Sequence, residues 1–192
     1  MKKFLGIVVL GLLFISVASY ADDIDDFEIE GMSIGDSALD YFTEEQILNN
    51  RMSYYKNKLY TPVEIERVSF FETFESVAFG FKTGDKNYKI LGLTGHIDYP
   101  NKISDCYKKQ DQIISILDDL FNNAKTTNWK SSHEGDISGE SIDKAKQYDL
   151  QNGDVLRVSC TDWSDKMSFI DKLKVGMYSK EQIQWINTEA YD

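Results

Sequence analysis

The 192-residue sequence predicts an α+β domain: an antiparallel sheet of about six or seven strands, one long helix on a face, and short helices at both ends. Three observations carry this. Seven runs tending to period two, dense in aromatic and β-branched residues, recur between positions 54 and 176. A single stretch near position 110 repeats its apolar residues every three or four positions instead. Thr83-Gly84-Asp85-Lys86 and Gln151-Asn152-Gly153 sit between period-two runs as turn signals, Asn-Gly being the strongest short hairpin signal there is.

The chain opens on Lys2-Lys3, the apolar run Phe4–Val17 and Ser19-Tyr20-Ala21, the three parts of a secretory leader with cleavage after Ala21. Fourteen residues are few for a bilayer span, no cysteine follows for lipidation, and the acidic flank does not read as a stop-transfer signal. Residues 1–21 are therefore expected to be a signal peptide. Residues 22–192 are expected to form one exported domain, with the acidic segment 22–30 a loose lead-in and Ile24, Phe27 and Ile29 as its apolar members.

Two helix entrances follow. Ser33-Ile-Gly-Asp36 and Thr43-Glu-Glu-Gln46 both have the spacing of a capping box, and Leu39, Phe42, Ile47 and Leu48 are the residues expected to be buried. Strands are expected over 54–60, 65–72, 76–82 and 88–97. In the third, Val77, Phe79 and Phe81 share one face and Ala78, Gly80 and Lys82 the other, the pattern of a sheet with one buried side. Pro100 closes this region. A helix is expected over 103–124, burying Cys106, Gln110, Ile113, Leu117, Leu120 and Ala124, with Lys108, Lys109, Asp111, Asp118 and Asn122 in water.

Residues 126–139 read as a polar loop anchored by Trp129. Strands are expected over 141–150, 154–163 and 167–176. Ser179-Lys-Glu-Gln182 then opens a last helix that buries Ile183, Ile186 and Ala190, with Trp185 at its edge. The helix entrances Phe42–Ile47 and Tyr178–Ile183 are nearly identical, but their flanks do not align, so they read as convergent capping and not as a duplicated module.

Composition narrows function. The chain holds 32 acidic and 21 basic residues, and losing Lys2 and Lys3 with the leader takes its net charge from −11 to about −13. Nucleic acid and anionic lipid need positive charge to displace counterions, so neither is an expected partner. An acidic surface serves solubility, or a cationic partner. Cys106 and Cys160 are an isolated pair in an exported chain, which reads as a disulfide; two buried free thiols are the alternative. Without a C-x-x-C motif, redox catalysis is not indicated.

Candidate chemistry is sparse. Gly35-Asp36-Ser37 resembles the nucleophile block of SGNH-type esterases, but the Asp-x-x-His that would activate the serine is missing: Leu93 precedes His96 and Lys130 precedes His133 at that spacing. Two distant histidines make no zinc motif, and Asp136, Ser138, Glu140 and Asp143 lack the Asp-x-Asp-x-Asp-Gly calcium spacing. No cofactor or metal is expected. His96, Trp129 and Trp163 remain as candidate ligand-contacting residues. The alternative for His96 is a rim residue with satisfied hydrogen bonds, and for the tryptophans packing against the Cys106–Cys160 junction.

The segments Ile29-Glu-Gly-Met-Ser-Ile-Gly-Asp-Ser37, Phe121-Asn-Asn-Ala124, Val158-Ser-Cys160-Thr-Asp-Trp163 and Asp171-Lys-Leu-Lys-Val with Ala190-Tyr191 are similar to a set of small exported proteins of marine bacteria that carry no assigned activity. The resemblance implies export and a role for the two cysteines, and nothing about catalysis. The expectation is a monomeric, non-enzymatic interaction module, periplasmic or secreted, binding a protein or small molecule. The alternative is a small hydrolase acting on an envelope or extracellular substrate.

Overall fold

The computed structural model describes residues 27–192, so the leader, its cleavage point and the acids of 22–26 lie outside the described residues. The described residues form one seven-stranded sheet, antiparallel throughout, and three α-helices. The strands are β1 (Tyr60–Glu66), β2 (Ser76–Lys82), β3 (Gly92–Asp98), β4 (Lys125–Ser132), β5 (Ile142–Asp149), β6 (Val155–Asp162) and β7 (Lys172–Tyr178). Their spatial order is β1-β2-β3-β7-β6-β5-β4. β1 to β3 form one meander. The helix α2 (Ile103–Leu120) then carries the chain across to the far edge, and a second meander returns from β4 to set β7 against β3.

The pleat divides the sheet into two unlike faces. On the first, Val63, Ile65, Val77, Phe79, Phe81, Leu93, Leu156, Val158, Leu173, Val175 and Met177 are all buried. This core lies under α2 and under the amino-terminal segment, where Phe42 stacks on Phe79 at 5.6 Å between centroids. α2 buries Cys106, Gln110, Ile113 and Leu117 in the stripe its spacing predicts. Its body is pinned in two ways: Cys106 is disulfide-bonded to Cys160 of β6, with Cα atoms 6.1 Å apart, and Gln110 Nε2 donates to the carbonyls of Lys144 and Val158.

Elsewhere the sequence expectation needs correcting, most often at residues with positive φ. Arg67 (φ +52°) ends β1, so the strands expected over 54–60 and 65–72 are replaced by a single one, 60–66. Tyr88 (φ +48°) delays β3 to Gly92, and Ser168 (φ +54°) delays β7 to Lys172. This left-handed region is costly for residues with a Cβ and interrupts any ladder, while leaving no mark in a hydrophobic pattern. The loop expected over 126–139 contains β4, an edge strand exposed along nearly its whole length; it pairs with β5 and lacks the apolar alternation that reveals a half-buried strand. The other edge, β1, carries Pro62 and is covered by residues 50–52 through bonds from Met52 N to the Pro62 carbonyl and from Glu64 N to the Asn50 carbonyl.

The two capping boxes near the start diverge. Thr43 caps α1 (Glu44–Asn49) with both reciprocal bonds to Gln46. Ser33 caps no helix. Its N–H donates to Asp36 Oδ2, and Ser37 instead caps the single 3-10 turn Ala38–Asp40. Phe42 and Ile47 are buried, but Leu39 and Leu48 are 42% and 38% exposed, because elements this short present only one residue per turn to the core. The lead-in is not loose where it is described: Phe27 and Ile29 are buried, and Ile29 bridges Met32.

The last helix, α3 (Lys180–Thr188), lies on the second face, over one corner only. Gly80 and Gly92 oppose each other there, and a Cβ on either would lie within 2.1 Å of the Gln182 side chain, which fills the notch between them. Trp185 is the anchor of this helix and not its edge, buried against Tyr60 and Tyr55 with centroids 4.8 Å from each.

Candidate functional site

Beyond α3, the second face has no helix over it among the described residues. Register places the rows Ser76–His96–Lys174–Ser159–Ala145–Trp129 and Ala78–Thr94–Gly176–Arg157–Gln147–Thr127 side by side across β2, β3, β7, β6, β5 and β4. Ala78, Ser159 and Ala145 give this face a low floor, while Tyr178 and the Thr94 hydroxyl fill the space over Gly176. α3 and its aromatic neighbours bound one corner. At the diagonally opposite corner Trp163 lies 4.4 Å from His133 and 4.9 Å from Phe169, centroid to centroid.

His96, Trp129 and Trp163 therefore share one face. Trp129 and Trp163 do not pack against the disulfide. Cys160 points to α2, and Trp163, three positions on, points the opposite way, as an odd spacing in extended chain requires. Trp129 instead lies 5.3 Å from the Arg157 guanidinium. Nor is His96 at the end of its strand. It stands inside β3 at 8% exposure.

A polar network surrounds His96. Its Nδ1 is 2.9 Å from Glu64 Oε1 and 3.1 Å from Ser76 Oγ, and Ser76 Oγ donates to the same carboxylate oxygen at 2.9 Å. Lys172 Nζ lies 4.0 Å from Glu64 and 3.5 Å from Asp98. The hydrogen bond from His96, with those from Ser76 and the charge of Lys172, holds the Glu64 carboxyl down to about 2. Burial pulls the His96 imidazole below its usual value despite that neighbour. The two shifts agree on one state near neutrality: an ionised Glu64 accepting from Nδ1–H of a neutral imidazole, which leaves Nε2 an acceptor.

Compared with protein-family models, with curated proteins and with solved structures, the chain matches none. The residues of this face therefore carry the functional argument.

Sequence reasoning missed the charged members of the site. Lys174 lies directly between His96 and Ser159 on the central strand β7. Its ammonium makes no hydrogen bond or ion pair among the described residues, and burial pushes its proton affinity down. Arg157, two residues from Ser159 on the same face, stacks between Trp129 and Tyr178, its guanidinium 5.3 and 5.7 Å from their ring centroids. Its Nε and Nη2 both donate to Gln147 Oε1. The alternation Lys172-Leu-Lys-Val-Gly-Met177 was a visible signal, since it gives β7 one apolar and one cationic face.

The other candidates resolve into structure. Ser37 Oγ donates to the Asn87 carbonyl at 2.7 Å, and Asp36 Oδ2 accepts from Ser33 N and Tyr41 OH, while the bonds of His96 and His133 go to other groups. Asp136 is buried, with its carboxylate taken up by Ser138 N, Ser141 N, Ser141 Oγ and Ser164 Oγ. Hydrogen bonds from Ser141 foremost keep it well below the usual carboxylate range. It ties the 133–141 loop to residue 164, and no cluster of three metal-ligating side chains exists among the described residues.

Proposed function

We propose that this protein is an exported, non-enzymatic binding module whose ligand lies on the sheet face opposite α2. One observation carries the reading. The two faces are unequal: one is closed by α2 over a continuous apolar core, while the other is a polar floor of small residues between two aromatic corners, with two cations unpaired. A face that served only solubility would place its charges outward and pair them; here Lys174 and Arg157 are half-buried, and Arg157 is set between two aromatic rings. Export is supported by the disulfide and by the leader pattern of residues 1–21.

The test is site-specific photo-cross-linking in the protein's own cells. A photoreactive residue replacing Thr127, exposed on the same face beside Gln147, is compared with one replacing Asp119 on the exposed side of α2. A discrete adduct from position 127 and none from 119 is the expected result. Equal labelling from both positions, or none from either, overturns the reading.

A further inference from the structure

We infer that the open face is an oxyanion site, in which Lys174 Nζ and Ser159 Oγ bind the carboxylate or phosphate group of a small molecule beside the Arg157 guanidinium. This rests on the binding reading above and gives it a ligand class. Lys174 and Ser159 are direct cross-strand partners, and neither side chain has a hydrogen-bond partner among the described residues. Arg157 is diagonal to Lys174 across the same ladder, its own partner being Gly176, and such diagonals span about 7–8 Å between Cα atoms. Two cations so placed repel each other.

No acid forms an ion pair with either among the described residues. Asp143 and Glu64 favour the Lys174 charge only through space, because the carboxylates nearest to it are bonded to other groups. Glu64 is held by Ser76, His96 and Lys172; Asp98 faces Lys172; Asp143 accepts from Thr161 Oγ1 at 2.7 Å and faces His133. Arg157 makes its side-chain bonds to a neutral amide, so its charge is likewise uncompensated. The result is a half-buried ammonium, a hydroxyl without a partner and a guanidinium between two rings, at neighbouring positions of one face whose floor at Ser159 and Ala145 is low. An oxyanion supplies the missing charge and accepts from all three groups, and the rings of Trp129 and Tyr178 offer apolar contact to whatever carries it.

The test is an amide NMR titration of the purified protein at fixed ionic strength, with inorganic phosphate in one arm and benzoate in the other. Saturable shifts at Thr94, Arg157, Ser159 and Lys174 are expected in at least one arm, and the arm that saturates names the oxyanion. Lys174→Met should weaken that binding by about tenfold or more, the loss of one charged hydrogen bond. Lys108→Met on α2 should leave it unchanged. Because Lys174→Met removes an uncompensated charge, the variant should melt no lower than the parent, so weakened binding cannot be put down to unfolding. No saturable shift in either arm, or unchanged affinity in Lys174→Met, overturns the oxyanion site. If that happens while the adduct from position 127 persists, the binding face stands without it; if the adduct fails too, both fall.

Discussion

Cys106 and Cys160 join the middle of the molecule to itself: the first turn of α2 is bonded to the strand it crosses, with 54 positions of sequence between the two. Within that span lie the long helix, the exposed edge strand β4 and the whole of β5. Closing a loop of this length removes roughly 4 kcal/mol of chain entropy from the unfolded state in the simplest account. Replacing both cysteines by alanine should therefore lower unfolding stability by about 2–4 kcal/mol in urea melts. Because the bridge anchors α2 to the sheet, amide exchange should accelerate more in α2 and β4 than in β1 and β2. Uniform acceleration would mean that the bridge acts only on the unfolded chain.

The Glu64–His96 pair sets the response to acid. Glu64 has a folded value near 2 against an ordinary 4.5, so the stability it contributes is present above 4.5 and lost as pH falls towards 2. His96 is also lowered, by burial, so folding favours its neutral form; that contribution is complete above the ordinary value of 6.5 and declines below it. Both work in the same direction. The stability contributed by this pair should be flat above about pH 7, decline modestly from 6.5, and decline again below 4.5, the carboxylate step being about 2 kcal/mol after allowance for its partial exposure. Glu64→Gln should shrink the lower step in pH-dependent melts, leaving the part due to Asp136, whose carboxyl is also held low.

How much of this was legible in the sequence depends on which force writes each feature. β2, α2 and β6 could be read to within a few residues because burial on one face imposes a period that composition displays. β4 could not, since an edge strand held by backbone bonds and wet on both sides has no period to show. The ends of β1, β3 and β7 were misplaced by Arg67, Tyr88 and Ser168, whose left-handed backbone belongs to tertiary packing. The candidate site was half visible. His96, Trp129 and Trp163 stand out as rare residue types, whereas Lys174 is one lysine among many until the register sets it between His96 and Ser159.

The notch formed by Gly80 and Gly92 should be sensitive to a single methyl group. The Cβ of an alanine at 92 would lie 1.8 Å from Gln182 Oε1, so Gly92→Ala must displace that side chain from the notch in which it seats α3. A cost of about 1–3 kcal/mol is expected, the range for overpacking. It should appear first as faster proteolysis or amide exchange within residues 180–190 while α2 stays protected. Gly84→Ala is a useful contrast, because a Cβ there meets nothing within 4 Å and its cost comes from the positive φ alone.

Trp185 separates the contribution of ring packing from the cost of an unanswered polar group. The side chain is 2% exposed and sits against Tyr55 and Tyr60, yet its indole Nε1 is buried without a hydrogen-bond acceptor among the described residues. Truncation to alanine removes the anchor of α3 and leaves a cavity beneath it, at an expected 3–5 kcal/mol. Phenylalanine keeps an aromatic ring against both tyrosines and deletes the unpaired donor, whose burial costs about 1–3 kcal/mol. The lost ring volume and the removed donor act in opposite directions, so Trp185→Phe should fall within about 1.5 kcal/mol of the parent. Denaturant melts of the two variants decide the point. If phenylalanine proves as damaging as alanine, the indole N–H does find an acceptor when the protein is in water, and the docking of α3 depends on that bond as well as on the ring.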